Sequence, residues 1–361
     1  MQKTDNLRIK TIRPLMLPAL LMEELPLTDR IASKINQARA ATKSIIHGED
    51  DRLLVVVGPC SIHDFRAALE YASRIKDRIP KYLSELFIIM RVYFEKPRTI
   101  IGWKGLINDP QLDNSFQINQ GLRIARRLLL DINQLGVPTG SEFLDTIIPQ
   151  YISDLTTWSA IGARTTESQI HRELASGLSM PIGFKNGTTG SIQVAIDAVL
   201  AAHHSHHFLG VSEQGIAAII STTGNQDSHV ILRGSIQGTN YDPITIAETI
   251  KRLKSAHLFP SIMVDCSHGN SGKDHRKQMQ VIDSICGQIH QGSFSIFGVM
   301  IESNLIQGKQ PLKFGRLLKY GQSITDACIS WEDTEIAFSK LAKAVIARRR
   351  QNKGTTSIQQ Y

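Results

Sequence analysis

The segment FIIMRVYFEKPRTIIGWKG, residues 87–105, decides how the chain is read. It opens as an apolar run, Phe87 to Val92, and then delivers Arg91, Lys96, Arg98 and Lys104 with Glu95 as the only acid. Pro97 stiffens the middle of the cationic part. A solvated turn is the plain reading, but such a turn normally mixes its charges. A buried strand that leads straight into cations predicts instead a strand whose C-terminal end faces an anion.

Outward from this segment the same design recurs. Short apolar runs appear as LLVVV (53–57), VPTGSEF (137–143), TTWSAIGA (156–163), MPIGFK (180–185), HVILRG (229–234), SIMVDCS (261–267) and FGVMIES (297–303). Helix-period segments lie between them, over 114–134, 167–177, 191–202, 243–256 and 275–290, with a last one over 332–349. Runs of this length, rich in Val and Ile and separated by helices, read as parallel strands buried on both faces. Together with FIIMRV they predict an α/β fold of the closed (β/α)8 TIM barrel type. An open doubly wound sheet is the alternative, but the Gly-rich dinucleotide loop it would carry after the first strand is not seen.

Two segments fall outside the repeat. Residues 1–50 form an N-terminal extension with a helix over 28–46, and residues 205–225 alternate as an inserted β-hairpin before strand 6. The barrel itself is expected over 51–350 as a single catalytic unit, followed by a flexible tail over 351–361. Helix-to-strand connections lie on the face opposite a barrel's active site. The extension and the hairpin are therefore expected to serve regulation or oligomerisation.

Composition narrows the class. Of 361 residues, 42% are hydrophobic and 20% charged, as in soluble globular proteins. No apolar run is long enough to span a bilayer, and the N-terminus lacks the apolar core of a signal peptide. Cys60, Cys266, Cys286 and Cys328 form no CxxC pair, which predicts reduced thiols and a cytoplasmic protein. The net charge of +8 suits nucleic acid or a small acidic substrate, and part of it sits in KAVIARRRQNKG (343–354).

The residues at or just past the strand ends choose the small acidic substrate. In order they are Cys60, Arg91 with Lys96 and Arg98, Glu142, Arg164, Lys185, Arg233, His268 and Glu302. Each alone is an ordinary loop residue; together they occupy the face where barrel enzymes keep their sites. Converging cations repel unless an anion joins them, and Arg91, Lys96, Arg164, Lys185 and Arg233 predict a substrate with more than one negative group. Cys60, His268, Glu302 and Asp326 form a mixed-hardness set for a divalent metal, although their spacing alone says little. The run HHSHH (203–207) competes as a metal candidate but belongs to the opposite barrel end.

These residues carry a family resemblance. GPCSIHD, MRVYFEKPRTIIGWKGLINDP, GSEFLD, GARTTESQIHRELASGLSMPIGFKNGT, HVILRG, VDCSHGNSGKDHRKQ, GVMIESN and YGQSITDACISWEDTE resemble the type I (class Iα) DAHP synthases, or 3-deoxy-7-phosphoheptulonate synthases. The likeness spans residues 5–350. It implies a metal-dependent transferase that condenses phosphoenolpyruvate with erythrose 4-phosphate and water, releasing phosphate, at the head of the shikimate pathway.

By the same resemblance, the metal ligands are Cys60, His268, Glu302 and Asp326. The ion would be one of manganese, iron, cobalt or zinc, acting on the aldehyde as a Lewis acid. Phosphoenolpyruvate falls to Arg91, Lys96, Ala163, Arg164, Lys185 and Arg233. Erythrose 4-phosphate falls to Pro97, Arg98, Thr99 and Asp326. Lys96 is the expected proton donor, and Glu142 or the substrate phosphate the expected base for water. Feedback by an aromatic amino acid is also implied, at Pro149, Gln150, Ser179, Phe208 and Gly210, with a lean toward tyrosine, in a homodimer or homotetramer. One departure stands out: LRGSIQG replaces the family's LRGGK, so Ser235 and Ile236 stand for a glycine and a lysine. A metal-dependent barrel aldolase, or a barrel that only binds aromatic amino acids, would share parts of this pattern.

Overall fold

The computed structural model describes residues 4–98, 102–312 and 317–358, with side chains through Gln351. The chain opens with α1 (Pro18–Glu24) and α2 (Asp29–Ile46), then alternates β1 (Leu53–Gly58), α3 (Phe65–Tyr82), β2 (Leu86–Arg91), α4 (Ile118–Leu135), β3 (Thr139–Glu142), α5 (Pro149–Ile152), β4 (Trp158–Ile161), α6 (Gln169–Gly177), β5 (Ile182–Lys185) and α7 (Gln193–His203). The hairpin β6 (His207–Val211) and β7 (Ala217–Ser221) intervenes. Then come β8 (His229–Leu232), α8 (Pro243–Ser255), β9 (Ile262–Asp265), α9 (Gln278–His290), β10 (Ile296–Glu302), β11 (Ile306–Lys309), β12 (Gln322–Ser323) and α10 (Trp331–Ile358). The expected tail is thus helical as far as Ile358, an extension of the last amphipathic segment.

Eight parallel strands close into a barrel in the order β1-β10-β9-β8-β5-β4-β3-β2. The apolar runs are continuous because both faces are buried. Leu54 and Val56 of β1 point into the barrel with Ile89, Trp158, Ile231 and Met263, while Leu53, Val55 and Val57 pack outward against the helices. Ile45 and Ile46, at the end of α2, join the inner cluster with Phe297, so the N-terminal extension closes the barrel floor. Asp64 and Asp242 start α3 and α8 by accepting from main-chain amides of the first turn.

The hairpin is antiparallel, with His207 opposite Ser221 and Val211 opposite Ala217. Its outer face carries Leu209 and Ile219, 86% and 77% exposed. The N-terminal segment bridges it to the barrel: Ala19 N donates to Glu213 O at 2.9 Å, and the Tyr151 hydroxyl donates to Met16 O at 2.5 Å.

The cationic loop after β2 is folded back on itself. Lys96 N donates to Lys104 O at 2.9 Å. Gly105, at φ +115°, approaches so closely that a Cβ there would lie 1.9 Å from Phe94 O. Glu95 ties this loop to the next, accepting from Leu144 N at 3.2 Å and Asp145 N at 3.1 Å. Burial pushes its carboxyl from 4.5 up to about 8, against the two amide donors. Since the folded value lies above the unfolded one, this contribution to stability is complete below pH 4.5 and lost as pH rises through about 8. Urea unfolding at stepped pH should therefore show the wild type losing stability relative to Glu95→Gln across that window; parallel profiles for the two proteins would refute the assignment.

Candidate active site

The strand ends that the sequence singles out do meet at one mouth. A cleft of about 280 Å³ there is lined by residues that include Lys96, Arg98, Arg164, Lys185, Arg233 and His268. Pro97, Glu142, Ala163 and Asp326 also line it. Thr99 lies outside the described residues. Barrel order sorts the mouth into two arcs. Arg164, Lys185 and Arg233 follow the adjacent strands β4, β5 and β8, whereas His268, Glu302 and Cys60 follow the adjacent strands β9, β10 and β1. The β2 loop, with Lys96 and Arg98, stands between β1 and β3.

The second arc suits a cation. Ligand atoms of Cys60, Glu302 and Asp326 all lie within 4.8 Å of one another. His268 Nε2 lies 3.7 Å from Glu302 Oε1, while its Nδ1 faces Asp265 Oδ2 at 2.9 Å and the Ser267 hydroxyl at 2.6 Å. An acid on Nδ1 leaves Nε2 free to ligate, the usual second partner of a metal-bound imidazole. Burial and Glu302 push the Cys60 thiol up, against Lys96, whose ammonium donates to Cys60 Sγ at 3.1 Å. A soft thiolate donor with imidazole and carboxylates is a donor set that a borderline divalent ion satisfies, so the residues fit the metal implied by the family.

The cations divide by depth. Arg91 is 1% exposed and spends its guanidinium on Glu302 Oε1 at 2.9 Å, with further bonds to Pro59 O and Cys60 O and the Tyr93 ring 3.5 Å away. Lys185 donates to Glu142 Oε2 at 3.0 Å and lies 3.7 Å from Asp265 Oδ2. Burial would raise the Glu142 carboxyl, but Lys185, Lys96 and Arg91 pull it down to about 2. Asp265 is likewise held well below the carboxylate range, its burial outweighed by His268, Lys185 and Arg91. Nearer solvent, Arg164 and Lys273 make no ion pair among the described residues, and Arg98 donates only to Trp103 O at 2.9 Å.

Asp265, Tyr93 and Lys273 belong to the site and were not singled out from sequence. Asp265 had one legible cue, an acid at a strand end three residues before His268. The departure at Ser235–Ile236 has a structural account. Asn186 Oδ1 accepts from Arg233 N at 2.8 Å and from Asn240 Nδ2 at 3.1 Å, and Asn240 Oδ1 accepts from Gly234 N at 2.7 Å. Ser235 N donates to Gly238 O at 2.8 Å, closing the turn, and Ile236 is left 88% exposed. The loop is thus set by asparagines, with no lysine needed, and Lys273 lines the cleft from the neighbouring loop.

The five expected effector residues fall on three elements. Pro149 and Gln150 begin α5, Ser179 precedes β5, and Phe208 and Gly210 lie on β6. A Cβ on Gly210 would meet Ile220 Cδ1 at 2.3 Å and the Phe208 ring at 3.8 Å. The histidine run disperses: His206 Nε2 pairs with Ala201 O, His207 Nδ1 with the Ser221 hydroxyl, and His204 is exposed.

Comparison with known proteins agrees with this geometry. Residues 31–339 match the DAHP synthetase I family. The chain is 57% identical over 347 residues to a phospho-2-dehydro-3-deoxyheptonate aldolase, Phe-sensitive, of Escherichia coli K12, covering 96% of this chain and 99% of that protein. It is 54% identical over 346 residues to a phospho-2-dehydro-3-deoxyheptonate aldolase of Haemophilus influenzae, covering 96% of each. A solved structure of the phospho-2-dehydro-3-deoxyheptonate aldolase from Francisella tularensis SCHU S4 superposes with a TM-score of 0.93 at 53% identity, over 94% of this chain and 99% of that one. The chain therefore belongs to the DAHP synthetase I family, transferases that condense phosphoenolpyruvate with erythrose 4-phosphate in the first step of aromatic biosynthesis.

Proposed function

We propose a division of labour across the mouth of this barrel. The arc of Arg164, Lys185 and Arg233, with Arg91, Lys96 and the Ala163 backbone, receives phosphoenolpyruvate. The β2 loop, through Pro97, Arg98 and Thr99, together with Asp326, receives erythrose 4-phosphate. Cys60, His268, Glu302 and Asp326 hold one divalent ion, whose bound form supplies Lewis-acid polarisation of the aldehyde. The observation that carries this reading is the barrel order, which sets three cation-bearing strands side by side and three ligand-bearing strands side by side.

The chain's own groups then have separate tasks. Lys96, beside Cys60 Sγ at 3.1 Å, is placed to give a proton to the oxygen that becomes an alkoxide when carbon 3 of phosphoenolpyruvate bonds to the aldehyde carbon. Arg164 and Arg233 face the phosphate whose bond to carbon 2 breaks after water adds. Glu142, pulled down by Lys185, Lys96 and Arg91, accepts from Lys185 and fixes it, and the departing phosphate is the proposed acceptor of water's proton. Holding both anions in one cleft also supplies the orientation that two like-charged substrates lack in solution.

The extension, α5 and the hairpin form the regulatory side of the proposal. An aromatic amino acid binds near Pro149, Gln150, Ser179, Phe208 and Gly210, with a lean toward tyrosine. The E. coli relative is named for phenylalanine, so both amino acids belong in the trial. Exposed Leu209 and Ile219 favour burial of the hairpin face in a homodimer or homotetramer. Four free cysteines suit a reducing compartment such as the cytoplasm, and no helix among the described residues is long and apolar enough to cross a membrane.

Phosphate release measured with both substrates tests the division directly. Arg164→Ala should raise KM for phosphoenolpyruvate about thirtyfold, about 2 kcal/mol, and Arg98→Ala should do the same for erythrose 4-phosphate. Equal effects of each variant on both substrates would contradict it. For regulation, Ser179→Phe should fill the effector pocket, removing inhibition by the aromatic amino acid while leaving the uninhibited rate within about twofold. Retained inhibition in that variant would place the effector elsewhere.

A further inference from the structure

The arc of cations does not stop at β8. Arg164, Lys185, Arg233 and Lys273 follow β4, β5, β8 and β9, strands adjacent in the barrel, and all of them line the same cleft. Along this row the side chains step outward: Lys185 is 4% exposed, Arg233 half-buried and Lys273 exposed. The loop that carries Lys273 is laid against the loop that carries Arg233. Asn270 N donates to Arg233 O at 3.2 Å, and a Cβ on Gly234 would lie 2.5 Å from Asn270 N.

Lys273 is held in a conformation that lysine does not favour. Its φ is +64°, in the left-handed region that few residues other than glycine and asparagine adopt. His268 lies there too, at +55°. The turn is closed by Lys273 N, which donates to His268 O at 2.9 Å, and by Gly272 N, which donates to Gly269 O at 3.1 Å. Asn270, 3% exposed, pins its base: Nδ2 donates to Leu232 O at 3.1 Å and to Asp265 O at 2.9 Å, and Oδ1 accepts from Asn240 N at 2.9 Å. Backbone strain that its surroundings fix this firmly clusters at functional sites.

The charge of Lys273 is unspent. Among the described residues its ammonium has no ion pair and no hydrogen bond. The acid next to it, Asp274, accepts from Arg276 N at 3.1 Å and lies 3.0 Å from the Arg276 guanidinium. Arg276 and Lys277, the next cations along the chain, do not line the cleft. The β8 loop offers no cation beyond Arg233, since none occurs from Gly234 to Asp242. Lys185 is tied to Glu142 and cannot follow a departing group. A free ammonium on a rigid loop, next in the row and nearest solvent, extends the anion site toward its exit.

We infer that Lys273 is a phosphate-binding residue of this site, the outermost member of the arc, which contacts the phosphate of phosphoenolpyruvate and leads it toward solvent once its bond to carbon 2 has broken. This rests on the division of the mouth proposed above and adds a residue that the division does not contain.

The test is calorimetric titration of the full-length protein with phosphoenolpyruvate and with inorganic phosphate, alongside KM for both substrates. Lys273→Gln should weaken phosphoenolpyruvate and inorganic phosphate about fivefold and leave KM for erythrose 4-phosphate within about twofold. Lys273→Gly should do the same while keeping the fold, because glycine adopts φ +64° freely. Lys273→Arg should restore both affinities to within about twofold of wild type. Unchanged phosphate and phosphoenolpyruvate binding in the Gln and Gly variants, a raised KM for erythrose 4-phosphate instead, or an Arg variant as weak as Gln would each overturn the inference. Arg164→Ala separates the two readings. If it weakens phosphoenolpyruvate and Lys273→Gln does not, Lys273 alone is misassigned; if neither does, the division of the mouth falls with it.

Discussion

The pair formed by Arg91 and Glu302 is the contact on which the catalytic end depends. Arg91 ends β2 and Glu302 ends β10, and β1 lies between those strands in the barrel. The guanidinium therefore reaches across β1, binding the carbonyls of Pro59 and Cys60 on its way to the carboxylate. Gly58 makes room for this, since a Cβ there would lie 2.8 Å from Arg91 O. A single buried cation thus sets the relative positions of a thiol, a carboxylate and the start of the cationic loop. Removing either partner would leave the other charge buried and uncompensated, a cost of about 3–5 kcal/mol.

The same balance extends through the deep layer of the mouth. Lys185 is neutralised by Glu142 and Asp265, and Asp265 in turn orients His268. Charges that are buried answer one another, and the cations left over stand nearer solvent on Arg98, Arg164 and Lys273. This resolves how so many like charges coexist in a folded protein. The inner set is held in a low-dielectric layer where each charge has a partner, and the outer set leaves a positive field at the mouth of the barrel. Arg91 belongs to the inner set, where its bonds to Glu302 and to the carbonyls of Pro59 and Cys60 tie the end of β2 to the ligand-bearing arc.

Much of this was legible in the sequence, and the reasons are specific. Runs such as LLVVV could be assigned because a strand buried on both faces must be apolar at every position, as Leu54 and Val55 are on opposite sides of β1. The strand-end residues followed from that, since the barrel puts them all on one face. The four-residue α5 and the short β11 and β12 were missed because they are too brief to show a period. Asp265, Tyr93 and Lys273 were missed because their roles arise from which strands become neighbours, and closure order is a tertiary fact. The Ser235–Ile236 departure looked like a lost cation in the sequence. The fold explains it through Asn186, Asn240 and Asn270, which lie far apart along the chain and fix the loop together.

The central claim is that cations of the chain hold phosphoenolpyruvate, with the ion serving the aldehyde. Calorimetric titration of phosphoenolpyruvate into chelator-stripped protein over a range of salt concentrations tests it most directly. The account predicts binding that survives metal removal and weakens steadily as salt screens the outer cations. Binding that vanishes with the metal, or an affinity indifferent to salt, would contradict it.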